Sequence, residues 1–175
     1  GRIADALPEI DLAPPTELAP DRTDLAPADG APGDRIGFAR VGVPHVVIRC
    51  ADAGAVDLER VAPHFRHHPA LRDGANVNVA SRSADGAVTL RTFERGVEAE
   101  TLACGTGSVA TALLLGAWAT GEATIGATET EIVTRSGLRH RVRTGPASAH
   151  APARVSLAGT ARIVFQATLG EGDWG

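Results

Sequence analysis

Cys104 stands in the segment Cys104-Gly105-Thr106-Gly107-Ser108, directly ahead of VATALLLGAWATG, a run that is apolar on nearly every side and ends at Gly121. A helix starting here would turn its free N–H groups and the positive end of its dipole toward the sulfur, which predicts a thiol pKa below the ordinary value. Gly105 and Gly107 leave backbone N–H donors open to an anion such as a carboxylate, and Thr106 adds a hydroxyl. One turn thus offers an acid/base thiol beside a carboxylate cradle. Taken alone, the turn reads equally well as a small-residue junction that lets a buried helix pack closely, with the cysteine as a small core residue. A Walker-type phosphate loop is excluded, because no lysine follows the turn or occurs anywhere in the chain. A cysteine protease would need a partner imidazole; His45 could be recruited, yet no protease signature surrounds Cys104.

Four further groups of residues carry usable chemistry. Glu94-Arg95-Gly96 sets a carboxylate beside a guanidinium at the end of a strand, suited to an amine and an acid respectively, or to an exposed surface pair. His45, after Pro44, could orient a substrate or tune the thiol, and serves equally as a structural histidine at a strand corner. Asn76 follows a turn, where such a side chain more often braces the turn than binds a ligand. His64, His67 and His68 raise the question of a metal, but they lie on or after a short helix beside Pro69 without a cysteine partner, so a solvated face is expected.

The elements that would position these groups can be read along the chain. Pro8 to Asp34 is rich in proline and aspartate and predicts one short strand, about Glu9 to Leu12, followed by loop. Ile36–Val41 and Val46–Ile48 predict two strands, with Pro44 interrupting the ladder and exposing a corner. Asp57 is placed as the N-cap of a helix running to Phe65, closed by His68-Pro69. Asn76–Val79 and Val88–Phe93 predict strands around an Asp85-Gly86 hairpin turn, both delivering their ends near Glu94-Arg95. After the buried helix come four short strands: Glu131–Val133, His140–Arg143, Val155–Leu157 and Ile163–Leu169. With 175 residues, 43% of them hydrophobic, the chain is long enough for one domain with a sizeable core. A formal charge of -4 with interspersed signs predicts neither nucleic-acid nor membrane binding. No apolar run approaches the roughly 20 residues of a membrane span, and a cytoplasmic location is expected. Two cysteines, Cys50 and Cys104, are too few for a disulfide framework.

Taken in order, these residues resemble the second half of the diaminopimelate epimerase family, from about Ile36 to Leu169. VGVPHVV resembles the family's strand with Asn-Pro-His, and HHPALRDGANVNV its His-Pro and Asn-Val segment. RTFERGVEAETLACGTGS is the most specific signature. Val155-Ser-Leu-Ala-Gly-Thr-Ala and Ile163-Val-Phe-Gln-Ala resemble the closing pattern. The resemblance implies an α+β lobe, a curved mixed sheet or barrel around a central buried helix. It also implies an isomerase that interconverts LL- and meso-diaminopimelate without a cofactor or metal, in lysine and peptidoglycan precursor synthesis. By the resemblance, Cys104 is one of two thiols on opposite sides of the substrate α-carbon. Glu94 and His45 assist at the reacting centre, and Asn76, Glu94, Arg95, Gly105 and Thr106 hold the amino acid.

Three departures accompany the likeness. Val43 stands where the family usually has a substrate-binding Asn. GVEAET is one residue longer than the commoner GVGET, so the loop before Cys104 must be re-routed. The half bearing the second thiol is missing, and Cys50, in a strand without a Gly-rich turn, cannot replace it. The expected organisation is a Pro/Asp-rich lead-in over residues 1–35, the epimerase lobe over 36–169 and a loose tail over 170–175. The expected partners are an amino-acid substrate and the missing N-terminal lobe, with a homodimer left open, and the isolated chain is expected to be inactive. The alternatives are a related cofactor-independent racemase or isomerase, and a non-catalytic carboxylate-binding domain.

Overall fold

Two stretches of the chain join parallel strands, and a parallel pair cannot be closed by a tight turn; each crossover here carries a helix. The computed structural model describes residues 7–27, 30–161 and 165–167. The strands are β1 (Glu9–Leu12), β2 (Glu17–Ala19), β3 (Arg35–Val41), β4 (Val43–Arg49), β5 (Asn76–Arg82), β6 (Val88–Glu94), β7 (Ala99–Thr101), β8 (Thr128–Val133), β9 (Arg139–Gly145) and β10 (Arg154–Gly159); the helices are α1 (Leu58–Arg66) and α2 (Gly105–Thr120). They form one mixed sheet in the order β1-β10-β9-β8-β6-β5-β4-β3-β2, with β7 hairpinned onto β6. The parallel pairs are β4–β5, bridged by α1, and β6–β8, bridged by α2.

Period-two alternation sends successive side chains to opposite faces of this sheet. Ile36 and Phe38 of β3, Val46 and Ile48 of β4, Val77 and Val79 of β5 and Phe93 of β6 pack with Leu58, Ala62 and Phe65 of α1. The intervening residues, including Ala39, Val41, Val47, Ala80, Val88 and Leu90, pack with Val109, Leu113, Leu114 and Trp118 of α2. Helix α2 is apolar all round and buried along most of its length, so a flat sheet could not satisfy it. The sheet wraps it instead, touching it from β2, β3, β4 and β5 on one arm and β8, β9 and β10 on the other. Gly121, at φ 75°, ends the helix in the left-handed cap expected of glycine. The expected curved mixed sheet around a buried helix is thus the observed fold.

Helix α1 begins as expected, with the Asp57 carboxylate accepting from the backbone N–H of Arg60. Pro44 does not interrupt the ladder or expose a corner. It is buried within β4 opposite Arg40, at a point where the pairing with β5, which starts at His45–Asn76, has not begun, so its missing N–H lies outside that ladder. Strands β2 and β7 and the 3-10 turn at Thr23–Leu25 are additions to the sequence reading. The expected Ile163–Leu169 strand falls largely outside the described residues, as does the 170–175 tail. No helix among the described residues is long and apolar enough to cross a membrane.

Candidate active site

The alternation that builds the two cores also aligns a polar row. His45, Asn76, Asn78, Thr92 and Glu94 have the parity of the residues that face α2, and the register sets His45 beside Asn76, and Asn78 beside Thr92. This row ends against the first turn of α2. Cys104 is the N-cap residue, but its side chain does not cap the helix. The Ser108 N–H closes the first turn on the Cys104 carbonyl, leaving the N–H groups of Gly105, Thr106 and Gly107 outside the helical ladder.

His45 is fully buried, with Nε2 3.0 Å from the Thr106 hydroxyl and Nδ1 3.3 Å from the Asn78 amide nitrogen. The Thr106 oxygen is in turn 3.6 Å from the Cys104 sulfur. Burial, and after it the positive charge of Arg95, takes the His45 imidazole down to about 3, so it is neutral at physiological pH. On the other side, Glu94 bears on the sulfur by its charge and accepts from the Thr101 hydroxyl at 2.6 Å. Burial pushes the Cys104 thiol above its usual value, and the Glu94 carboxylate adds to this. The Gly107 N–H and the Thr106 hydroxyl favour the thiolate but do not outweigh these effects. The expectation of a lowered thiol pKa is therefore corrected: the helix start supplies donors to the sulfur, and desolvation wins over them.

Asn76 accepts the Arg95 backbone N–H at 2.7 Å, which ties the start of β5 to the turn after β6. The Arg95 guanidinium reaches the Asp73 carbonyl at 2.9 Å, so Glu94 and Arg95 engage different neighbours. The loop before Cys104 turns back in the β6–β7 hairpin. Glu98 sits there at φ 58°, its N–H on the Glu94 carbonyl and its carboxylate on the Gly96 N–H and the Arg66 guanidinium. Val43, at the start of β4, is 36% exposed.

The structure thus brings Cys104, Thr106, His45 and Glu94 together at one helix terminus, with Gly105 in the same turn and Asn76 and Arg95 one strand-end away. The sequence reading missed Asn78, Thr92 and Thr101, although the parity shared by Asn76 and Asn78 was available. It also missed Ser108, whose hydroxyl bonds the Cys104 carbonyl and lies 2.8 Å from His140 Nδ1. Cys50 is on the α1 side of the sheet, its thiol reaching the Ala80 carbonyl, so it cannot face a ligand held at Cys104. His64 bonds the Leu25 carbonyl and stacks edge-on with Phe65 and His68. No metal-holding group of three His, Cys, Asp or Glu side chains occurs among the described residues.

Residues 37–149 match the family model described as diaminopimelate epimerase. The chain is 47% identical over 171 residues to the diaminopimelate epimerase of Gemmatimonas aurantiaca, a match covering 94% of this chain and 60% of that protein. It therefore spans less than two thirds of that relative. Among solved structures, it is similar to a PhzF-family phenazine biosynthesis protein of Bacillus anthracis, with TM-score 0.62 and 16% identity, covering 87% of this chain and 56% of that one. It is also similar to a probable proline racemase of Agrobacterium radiobacter K84 with bound carbonate, with TM-score 0.55 and 20% identity, covering 93% and 53%. At these identities the structural likeness is one of fold.

Proposed function

Because the chain belongs to the diaminopimelate epimerase family, we propose that it is one lobe of a cofactor-independent isomerase that inverts the α-carbon of diaminopimelate between two thiols, of which Cys104 is one. The observation that carries the reading is the gathering of Cys104, Glu94, Thr106 and His45 at the start of a buried helix. An α-C–H is a weak acid, so its removal needs fixed charges around the ammonium and carboxylate to stabilise the developing carbanion. The open N–H groups of Gly105 and Thr106, together with Arg95, suit the carboxylate, and Glu94 suits the ammonium.

Burial holds Cys104 protonated in this lobe, which suits it to deliver a proton. A thiolate of the other lobe takes the α-proton on one face as Cys104 gives its S–H proton to the carbanion on the opposite face. The bond count balances, and the two sulfurs exchange protonation states. In the reverse direction the roles exchange, and a bound α-ammonium lowers the cost of a thiolate at Cys104 by offsetting Glu94. Asn76 holds the Arg95 turn in place. We assign the second thiol to an N-terminal lobe that completes the protein, and place the reaction in the cytoplasm, in the supply of lysine and peptidoglycan precursors.

The reading is tested by following conversion of LL- to meso-diaminopimelate by the complete protein. Cys104→Ala should abolish conversion and Glu94→Gln should reduce it by orders of magnitude, whereas the 175-residue chain alone should be inactive. Unchanged turnover in either variant would remove that residue from the mechanism. The apolar, partly exposed Val43 favours one second reading, a related amino acid lacking a second polar end. Proline and hydroxyproline run in parallel decide between them.

A further inference from the structure

We propose that Asn78 is a positioning residue for the thiol: it fixes His45 as the Nε2–H tautomer, so that His45 donates to Thr106 and Thr106 turns its own proton toward the sulfur of Cys104. The functional sense of this proposal rests on Cys104 as an acid/base thiol, whereas the chain of hydrogen bonds does not.

Asn78 is fully buried. Its amide nitrogen lies 2.9 Å from the Val46 carbonyl, which can only accept, so the NH2 end of the amide must point there. Its oxygen accepts from the Thr92 hydroxyl at 2.9 Å, consistent with that orientation. The second amide proton then faces Nδ1 of His45 at 3.3 Å, and a nitrogen that faces an N–H donor must be bare. In a neutral imidazole the proton is therefore on Nε2, 3.0 Å from Thr106 Oγ1. Thr106 accepts this bond and keeps one proton, and the sulfur lies 3.6 Å away. The opposite tautomer would leave Nε2 bare, draw the Thr106 proton onto the ring and take a donor from the thiolate. Asn78 thus sets the direction of every bond in the series, although it does not touch the sulfur.

The contact between sheet and helix is tight at this point. A Cβ on Gly107 would lie 2.6 Å from the Asn78 amide oxygen and 3.2 Å from the Cys104 sulfur. The first turn of α2 can therefore slide little relative to Asn78 without moving the thiol.

The test is long-range proton–nitrogen NMR on the complete protein, with site-resolved alkylation of Cys104 as a second readout. His45 should show a protonated Nε2 and a bare Nδ1 at pH 7. Thr106→Val should leave that tautomer intact and slow Cys104 alkylation at fixed pH by roughly threefold or more, the lower end of what one hydrogen bond contributes. Asn78→Asp, whose carboxylate demands a donor, should move the proton to Nδ1 and lower kcat more than it raises KM. If Asn78→Asp does not fold, the wild-type tautomer and Thr106→Val decide. A protonated Nδ1 in the wild type, or alkylation unmoved by Thr106→Val, overturns the proposal. An Nε2–H tautomer with the expected alkylation change but no diaminopimelate turnover leaves it standing and removes the epimerase reading. Turnover requiring Cys104 with an Nδ1–H tautomer does the reverse.

Discussion

Gly107 passes so close to Asn78 that a single added carbon would sit 2.6 Å from the amide oxygen, well inside contact distance. Neither the buried amide nor the cysteine turn has room to give. Gly107→Ala is therefore expected to cost about 1–3 kcal/mol, the usual range for overpacking, and to displace Cys104. Gly105→Ala, two residues earlier, meets only the end of the Leu157 side chain at 3.0 Å, which can rotate away. Urea unfolding of the two variants should show a clear fall in midpoint for the first and a small one for the second.

Glu94 and Cys104 form a second pair with a measurable consequence. The carboxylate disfavours a thiolate beside it, so Glu94→Gln should bring the Cys104 titration down from its raised position. Alkylation by iodoacetamide against pH, resolved by mass spectrometry to separate Cys104 from Cys50, reads this directly. A midpoint that stays put or rises would mean that the carboxylate does not face the sulfur.

His45 makes stability depend on pH in a stated direction. The unfolded chain protonates this imidazole below about 6.5, whereas the folded chain does so only at about 3. Between these values the unfolded state binds the additional proton, so stability falls as the pH drops, by ~2 kcal/mol at pH 5 from this group. His140, also lowered by burial, acts in the same sense. Asp34 and Glu100 are held low by hydrogen bonds from Arg49 and Arg91. Their contribution is lost only as the pH falls below their unfolded values near 4, outside the window of pH 5 to 6.5. His45→Gln should flatten the loss of stability across that window; parallel curves for the two proteins would contradict a buried neutral imidazole.

These three tests also mark where the sequence was legible. The all-round apolar run after Cys104 required a sheet on several sides of α2, and the strands that supply it were visible from β-branched residues and turns. Strands β2 and β7 were not, because three residues cannot display an alternation, and Glu17–Ala19 is surrounded by prolines. Pro44 was misread because a lone proline does not reveal that one neighbouring ladder starts a residue later. The site showed the same division. Cys104, Glu94 and His45 carried local signatures, but the thiol's titration depends on how deeply the sulfur sits and which carboxylate β6 delivers, and neither is a local property. Asn78 had no signature beyond its parity with Asn76, and the pairing of Ser108 with His140 spans 32 residues.

The central claim is that Cys104 exchanges a proton with the α-carbon of diaminopimelate, and deuterium wash-in at that carbon in heavy water tests it most directly. The complete protein should form epimerised product that carries deuterium at the α-carbon, and Cys104→Ala should abolish that product, leaving at most exchange with retention on the face of the other thiol. Deuterated product of inverted configuration that survives Cys104→Ala, or no incorporation from diaminopimelate by the intact protein, would contradict the account.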